Sequence, residues 1–223
     1  FKFKNKKINF SVPTGNFGDI FAGYMAKKMG LPIEKLIVAT NINDILERVI
    51  NTGEYKPSEV KPSLSPSMDV QISSNFERLL FYLLNEDDKK VSSLMDELKY
   101  KGSFVLSREQ MAILKKDFAA KRTNDKETIE IIKKFSKDYN FILDPHTATA
   151  VGASKVIKDS SEILILGTAH PYKFLETIKL AIGKNVEPPK QFTNLSEKVE
   201  KFEIVDNKLE NIKNYIIRKI KWK

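Results

Sequence analysis

A glycine-containing turn between a predicted strand and a predicted helix constrains the fold of this chain more than any other feature. Residues 8–12, INFSV, are enriched in β-branched and aromatic side chains, which is typical of a strand. Residues 13–18, PTGNFG, interrupt this pattern, and a helix is predicted from about residue 19 to residue 29. A strand that leads directly into a helix is the repeating unit of an α/β domain. The opening segment therefore predicts an α/β fold.

The same turn has the features of a phosphate-binding site. The first amides of a helix have no intrahelical acceptor and carry the positive end of the helix dipole. Because Gly15 and Gly18 lack a Cβ atom, the backbone can approach a ligand closely there, and Asp19 is predicted to cap the helix. The Gly-x-x-Gly spacing is neither a dinucleotide fingerprint nor a Walker loop, so an ordinary turn explains the spacing equally well. The amides predicted to face one phosphate are those of Gly15, Asn16, Phe17 and Gly18.

Two further apolar strands are predicted, and polar residues follow both. Residues 35–40 form a short apolar run that ends at the polar segment 41–44, and residues 162–166 end at Gly167 and Thr168. Short continuous apolar runs are typical of strands buried in a parallel sheet, and such sheets bind ligands at the carboxyl ends of their strands. The predicted fold class is therefore a mostly parallel sheet with flanking helices.

The middle of the chain is predicted to be helical. Residues 51–67 are rich in proline, glycine and serine and are predicted to form a loop. Ser107 with Gln110 resembles a capping box, and Asn124 or Asp125 is predicted to cap a later helix. None of these helices carries residues that indicate chemistry. The predicted amphipathic helices lie at residues 76–84, 91–98, 107–121 and 125–139.

Composition argues against several functional classes. The net charge is +9, but the basic residues are dispersed among 29 acidic ones, which indicates a solvated surface rather than a nucleic-acid partner. No apolar run approaches the roughly 20 residues that span a bilayer, so no membrane association is expected. The absence of cysteine rules out disulfides and thiolate metal ligands and fits a cytoplasmic protein.

The two histidines do not form a convincing metal site. His146 and His170 each lie next to a proline, and two ligands without cysteine make a poor zinc site, so no metal is predicted. Each is either a general base or, as is more usual for a lone histidine, a hydrogen-bonded structural residue. Asp69 and Asn75 lie close to the proline-rich loop and are interpreted as turn and cap residues in preference to ligand contacts.

Several segments of the chain resemble the threonine synthase family. The most distinctive is SVPTGNFGD at residues 11–19, which resembles the loop that holds the cofactor phosphate in these pyridoxal-phosphate enzymes. The resemblance covers, in segments, about residues 6–183. The other segments are AKKMGLP at residues 26–32, ATNIND at 39–44, SMDV at 67–70, DPHTA at 144–148 and LGTAHPYKF at 166–174.

The resemblance implies fold type II, the tryptophan-synthase-β type of pyridoxal-phosphate enzyme. In this fold type a serine or threonine hydroxyl faces the pyridine nitrogen of the cofactor, and Thr168 matches that position. A hydroxyl donates to a neutral nitrogen, which leaves the ring a milder electron sink. Thr168 also fits as a cap for a helix beginning near Pro171, and both roles can hold at once. The implied cofactor-binding residues are Gly15, Asn16, Phe17, Gly18, Asp19 and Thr168.

The implied reaction converts O-phospho-L-homoserine and water into L-threonine and phosphate. The family's Schiff-base lysine lies in a Phe-Lys-Asp segment that precedes a Ser-Gly-Asp-Thr-Gly loop, and neither occurs in this sequence. Lys173 belongs to a different segment and is not assigned that role. We therefore expect the C-terminal half of a threonine synthase, with no catalytic residue of its own and inactive without the N-terminal half.

The expected organisation has four parts, and two rival functions remain. One rival is another fold type II enzyme, such as a threonine dehydratase or a cysteine synthase, although these have a differently composed glycine loop and lack the segment at residues 168–174. The other is a non-catalytic phosphate-binding module. The expected parts are a phosphate-binding α/β part at residues 1–66, a helical insert at 67–140, a return to the α/β core at 141–183 and a helical tail at 184–223.

Overall fold

The structure, a computed structural model, describes residues 6–159, 162–190, 193 and 197–220. The chain divides into two units, Phe1–Glu187 and Pro188–Lys223. The first unit is built on a parallel sheet with flanking helices, which confirms the predicted α/β class. Within the described residues, no helix is both long and apolar enough to cross a membrane.

A four-stranded parallel sheet forms the centre of the first unit. Its strand order is β5-β2-β1-β6, and every neighbouring pair is parallel. The central strands β1 and β2 are buried along most of their length, which accounts for their nearly continuous apolar sequences. Strands β3 and β4 form a separate antiparallel pair. The strands of the described residues are β1 at Ile8–Pro13, β2 at Ile33–Thr40, β3 at Glu54–Tyr55, β4 at Phe104–Val105, β5 at Phe118–Arg122 and β6 at Ile163–Ile165.

The helices flank the sheet, and two begin with the caps that the sequence predicts. Ser107 and Gln110 form a reciprocal capping box at the start of α5, and Asn124 forms another with Glu127 at the start of α6. In the described part of the chain the α-helices are α1 at Gly18–Lys28, α2 at Ile45–Thr52, α3 at Phe76–Leu83, α4 at Asp88–Lys101, α5 at Arg108–Asp117, α6 at Asp125–Tyr139, α7 at Pro145–Ser154, α8 at Leu175–Ile182 and α9 at Leu209–Lys219.

The two faces of the sheet pack against different helices. Leu36 and Val38 of β2 belong to the larger core, which also contains residues of α1, α2 and α3. Ile37 and Ala39 of the same strand face the other way and pack with alanines of α7. This division follows from the alternation of side chains along a strand.

Helix α7 packs closely on the sheet because its contact face is made of small residues. Ala150 and Ala153 lie in the contact, and the Ser11 hydroxyl of β1 donates a hydrogen bond to the Ala150 carbonyl at 2.7 Å. A Cβ atom at Gly152 would lie only 2.3 Å from Oγ1 of Thr123. The close packing fixes α7 beside the end of β1 at which the glycine turn begins.

The helix predicted at residues 107–121 ends four residues earlier than the sequence indicates. Helix α5 ends at Asp117, and the next residues form β5, the edge strand beside β2. Phe118 and Ala120 are buried and alternate with less buried neighbours, which is the period of a strand. Pairing with β2 therefore overrides the helix propensity of the alanines. The segment at residues 67–140, predicted as a helical insert, also contains a strand of the main sheet.

The second unit contains the helix that the sequence predicts near the end of the chain. This helix is α9, and an ion pair joins its Lys219 to Glu203 within the same unit. Residues 1–5 of the expected first part and residues 221–223 of the expected tail lie outside the described residues.

Candidate functional site

The predicted glycine turn lies at the carboxyl end of β1 and leads into α1. The Thr14 amide donates to the Ala39 carbonyl at 2.8 Å, which continues the pairing of β1 with β2 into the turn. Phe17 has a φ of 63°, in the left-handed region that disfavours residues with a side chain. Its ring is completely buried and meets the Phe76 ring edge-on, with 5.4 Å between centroids. The buried ring holds the backbone in its tight turn.

The amides of this turn have no acceptor within the described protein. None of the described residues accepts a hydrogen bond from the amide of Gly15, Asn16, Phe17 or Gly18. Backbone amides are normally paired with the protein, with water or with a ligand. Consecutive free amides at a helix N-terminus bind anions well, because they act together with the helix dipole. The turn therefore has the chemistry of a phosphate site.

Asp19 does not cap α1, contrary to the prediction from the sequence. The helix begins at Gly18, its N-cap is Phe17, and no side chain forms a cap hydrogen bond there. The left-handed conformation of Phe17 starts the helix earlier than the sequence suggested. Asp19 is therefore an exposed residue of the first turn, where a carboxylate interacts favourably with the helix dipole.

A cavity of about 280 Å³ lies against the turn and is also lined by the segment that follows β6. Strand β6 pairs in parallel with β1, and the Leu166 amide donates to the Ser11 carbonyl at 3.0 Å, so both strands end at the same edge of the sheet. All six predicted cofactor-binding residues consequently line one cavity. They are Gly15, Asn16, Phe17, Gly18, Asp19 and Thr168.

The Thr168 hydroxyl is available to a ligand. Thr168 is exposed, and within the described residues its hydroxyl has no hydrogen-bond partner. It is not the helix cap that the sequence offered as an additional role. The short 3-10 helix at Pro171–Phe174 is capped by His170, whose Nδ1 accepts a hydrogen bond from the Tyr172 amide at 3.2 Å.

His146 is a buried structural residue in the wall of the cavity. Its Nε2 accepts a hydrogen bond from the Ser67 amide at 3.1 Å, and its Nδ1 lies 3.2 Å from Oδ1 of Asp144. Because Nε2 is an acceptor, the ring N–H is at Nδ1, and it donates a hydrogen bond to the Asp144 carboxylate. Both ring nitrogens are engaged, which favours the structural interpretation of this histidine over the general base.

Asp144 caps α7 and anchors this arrangement. Its carboxylate accepts hydrogen bonds from the backbone amides of His146 and Thr147 and from the Thr147 hydroxyl. Burial by itself raises the pKa of Asp144, but the hydrogen bonds from His146 and Thr147 outweigh it and hold that pKa below its ordinary value. The charged carboxylate therefore fixes the start of α7 and, through His146, the segment at Ser67.

The two glycines of the turn have different structural roles. A Cβ atom at Gly15 would lie 3.0 Å from the Ser67 carbonyl oxygen and 3.2 Å from Cα of Met68. These are backbone atoms, so packing requires a glycine at this position. A Cβ atom at Gly18 would contact only Nδ2 of Asn75, at 3.7 Å. Packing within the protein does not account for Gly18.

Asp69 is engaged within the protein. Its Oδ1 accepts hydrogen bonds from Nδ2 of Asn41 at 2.7 Å, from Nδ2 of Asn43 at 2.9 Å and from the Ser63 hydroxyl at 2.6 Å. The Ser63 amide donates to the other carboxylate oxygen at 2.9 Å. This network ties the proline-rich loop to the end of β2 and agrees with the interpretation of Asp69 as a turn residue.

Two residues that the sequence analysis did not assign to the site hold the carbonyls of the glycine turn. The Ser73 hydroxyl donates to the Gly15 carbonyl at 2.9 Å. Asn75 donates to the Asn16 carbonyl from its backbone amide at 3.1 Å and from Nδ2 at 2.8 Å. From the sequence alone, Asn75 is a turn or cap residue and nothing marks Ser73. The only signal in the sequence was a short polar run before α3.

Comparison with known proteins gives consistent matches. Residues 147–216 match the family model described as threonine synthase, C-terminal. The threonine synthase of Pseudomonas aeruginosa is 41% identical, and the match covers 95% of this chain and 46% of the relative. The threonine synthase of Saccharomyces cerevisiae is 43% identical, and this match also covers 95% of this chain and 46% of the relative. A crystal structure of threonine synthase from Brucella melitensis with bound pyridoxal phosphate has a TM-score of 0.89 at 41% identity, covering 96% of this chain and 46% of that protein.

The parallel sheet and the matched structures assign the chain to the fold type II class of pyridoxal-phosphate-dependent enzymes. A second crystal structure, of the yeast threonine synthase, has a TM-score of 0.85 at 41% identity over 96% of this chain and 48% of that protein. The chain belongs to the threonine synthase family. It spans about half the length of the curated relatives that it matches.

Proposed function

We propose that this chain is the C-terminal part of a threonine synthase and binds pyridoxal phosphate in the cavity beside the glycine turn. The observation that carries the proposal is that one cavity is lined by the free amides of residues 15–18 and by Thr168. Pyridoxal phosphate has an anionic phosphate on one side of its ring and a nitrogen within the ring. The bound cofactor of the Brucella relative supports this choice of ligand.

The residues of this chain suit the two polar ends of the cofactor. The turn amides suit a phosphate dianion, because they are unpaired donors at the positive end of α1. The hydroxyl of Thr168 can donate to an unprotonated ring nitrogen. When bound, the cofactor supplies an electron sink for carbanion chemistry. The contribution of this chain is to bind and orient it and to keep its ring nitrogen unprotonated.

The proposed reaction of the completed protein converts O-phospho-L-homoserine and water into L-threonine and phosphate, a carbon–oxygen lyase step of amino-acid biosynthesis in the cytoplasm. This chain lacks the Phe-Lys-Asp segment that carries the family's Schiff-base lysine. We therefore place that lysine, and the residues that bind the substrate phosphate, in the part of threonine synthases that this chain does not cover. Lys173 lines the cavity, but no catalytic role is assigned to it.

The edge of the main sheet is the surface that we propose for the missing half. Strand β6 is the last strand of the sheet, and no strand of the described residues pairs with its outer edge. A largely apolar groove of about 690 Å³ runs beside it and is lined by Ile163, Ile165, Phe141 and Phe135. An open edge next to an apolar groove suits an added strand with apolar side chains. The groove also reaches Gly167 and Ala169, which flank Thr168, so a docked half would lie close to the cavity.

Complementation with the missing half tests the proposal. The N-terminal half of the Pseudomonas threonine synthase is co-expressed with this chain, and formation of threonine and phosphate from O-phospho-L-homoserine is measured. We expect activity from the pair and none from either half alone. The Pseudomonas enzyme divided at the same position is the control that two halves can assemble.

A defined set of outcomes would contradict the proposal. If the divided Pseudomonas enzyme is active and the mixed pair binds but forms no threonine, the chain is not a functional half of a threonine synthase. Ammonia release from threonine would instead support a dehydratase. If the divided Pseudomonas enzyme is active but the mixed pair binds phosphate ligands without any turnover, a non-catalytic module would be supported.

A further inference from the structure

We propose that Ser73 and Asn75 are positioning residues that aim the amides of the glycine turn at the phosphate of the ligand. This inference rests on the proposed function, because it concerns the same site. Neither side chain is among the residues that line the cavity. Their effect is therefore exerted through the backbone of the turn and not by contact with the ligand.

The geometry of the peptide bond links each carbonyl of the turn to the amide that follows it. In a planar trans peptide, the carbonyl of one residue and the amide of the next point in opposite directions. A donor that fixes the Gly15 carbonyl therefore also fixes the direction of the Asn16 amide. A donor that fixes the Asn16 carbonyl fixes the Phe17 amide in the same way. Both amides then point away from the segment that contains the donors.

The observed contacts occupy both carbonyls. The Ser73 hydroxyl donates to the Gly15 carbonyl at 2.9 Å, and Asn75 donates twice to the Asn16 carbonyl, at 3.1 and 2.8 Å. The Asn16 and Phe17 amides on the other sides of these peptides have no acceptor among the described residues. The free amides and the held carbonyls thus belong to the same two peptide groups. This arrangement is expected of a turn prepared in advance for an anion.

The two donors are themselves held by the core. The Ser73 amide donates to the Tyr55 hydroxyl at 2.8 Å. The Tyr55 ring is buried and stacked between Phe76 and Phe104, with 5.4 and 4.9 Å between centroids. Asn75 is the N-cap residue of α3, whose inner face is buried in the same core. The segment that holds the turn is therefore anchored independently of any ligand.

The test uses the full 223-residue chain and a pair of ligands that differ only in the phosphate group. Pyridoxamine 5′-phosphate and pyridoxamine lack the aldehyde, so neither forms imines with the many surface lysines. Equilibrium binding of both is measured for the wild type, Ser73→Ala, Asn75→Ala and the double variant. Ser74→Ala is the matched control, because the Ser74 hydroxyl reaches only the side chain of Asn16, at 3.5 Å.

We expect the double variant to lose about tenfold or more of its affinity for pyridoxamine 5′-phosphate, the size of effect given by one misdirected hydrogen bond to a charged group. Its affinity for pyridoxamine stays unchanged, and so do both affinities of Ser74→Ala. The ³¹P resonance of the bound phosphate shifts in Ser73→Ala and returns towards the wild-type position in Ser73→Thr, which keeps the hydroxyl.

Other outcomes overturn the inference and separate it from the proposed function. If the wild type prefers the phosphorylated ligand and the double variant keeps that preference, the inference fails and the proposed function stands. An equal loss of affinity for both ligands also overturns it, because the two residues would then act on folding alone. A wild type that does not distinguish the two ligands contradicts both the inference and the proposed site.

Discussion

Phe17 combines a completely buried aromatic ring with a φ of 63°. The left-handed conformation costs about 1–2 kcal/mol for a residue with a side chain. Burial of a phenylalanine ring contributes about 1.5–3 kcal/mol, and contacts with Phe76 and Phe118 add to this. The free energy gained by burying the ring therefore offsets the cost of the left-handed conformation. A hydrophobic residue of the core thus stabilises a backbone conformation that leaves consecutive amides free beside the cavity.

The substitutions Gly15→Ala and Gly18→Ala test whether the two glycines of the turn have different roles in packing. The Cβ atom of Gly15→Ala would lie 3.0 Å from the Ser67 carbonyl oxygen, whereas that of Gly18→Ala would meet nothing closer than 3.7 Å. We expect the first change to lower the free energy of unfolding by about 1–3 kcal/mol and the second to leave it equal or slightly higher. Urea denaturation of both variants checks this. Equal stability of the two variants would show that Ser67 and Met68 move aside freely.

Asp144 gives the protein a predictable response to acid. Its pKa is lower in the folded state than in the unfolded chain, where it is about 3.9. Its contribution to stability is therefore fully present above the unfolded pKa and is lost as the pH falls through the folded pKa. We expect the free energy of unfolding to fall with a steeper slope below about pH 4 in the wild type than in Asp144→Asn.

Denaturant titrations at several acidic pH values measure this slope. Asp96→Asn, on the exposed side of α4, is the control for the removal of a carboxylate, and its slope should follow that of the wild type. Identical slopes in the wild type and Asp144→Asn would contradict the account of the hydrogen bonds to Asp144.

The six residues that the sequence analysis assigns to the cofactor line one cavity, whereas the residues that support the glycine turn are not apparent from the sequence. Gly15 is indicated by a glycine turn, which is a local pattern, and Thr168 is assigned from the resemblance to threonine synthases. Ser73 escaped because its importance lies in one hydrogen bond to a distant carbonyl, and no local pattern reports such a contact. The N-cap assignment of Asp19 failed because the conformation of Phe17 depends on burial of its ring in the core.

Among the strands of the main sheet, β1 and β2 follow from the local sequence pattern, whereas β5 depends on pairing with a distant strand. The predicted strands at residues 8–12 and 35–40 correspond to β1 and β2, because continuous apolar sequences report burial in a parallel sheet. The chain at residues 118–122, FAAKR, carries no such run and was predicted as helix. Its strand conformation comes from pairing with β2 at the edge of the sheet, a contact with a distant part of the chain.

The close packing of α7 on the sheet can be tested with a double-mutant cycle. The Cβ atom of Gly152→Ala would lie 2.3 Å from Oγ1 and 2.6 Å from Cγ2 of Thr123. We expect this change to cost about 1–3 kcal/mol of stability through overpacking. In the Thr123→Ala background the clash disappears, so the double variant should cost less than the sum of the two single changes. Additive costs would show that α7 does not depend on this contact.

The whole chain brings the glycine turn and Thr168 to one cavity, and it spans about half the length of its relatives. The glycine turn, for which we propose phosphate binding, and Thr168, for which we propose contact with the ring nitrogen, are about 150 residues apart in the sequence. The parallel pairing of β1 with β6 brings them together. The sequence predicted the fold class because its resemblance to threonine synthases recurs from the first strand to residue 183. It could not show that the two segments line a common cavity.

A labelling experiment tests the expectation that this chain supplies no Schiff-base lysine. The full chain is treated with pyridoxal phosphate and then with borohydride, and the modified lysines are mapped by mass spectrometry. We expect no preferential pyridoxyl adduct at Lys173, although that residue lines the cavity. A stoichiometric adduct at Lys173 would mean that the chain carries its own covalent anchor.

A crystal structure of the chain with pyridoxamine 5′-phosphate would locate the phosphate and the ring nitrogen of the bound ligand. We expect the phosphate to accept hydrogen bonds from the amides of residues 15–18 and the ring nitrogen to lie within hydrogen-bond distance of the Thr168 hydroxyl. A ligand bound in the reverse orientation, or bound away from this cavity, would contradict this expectation.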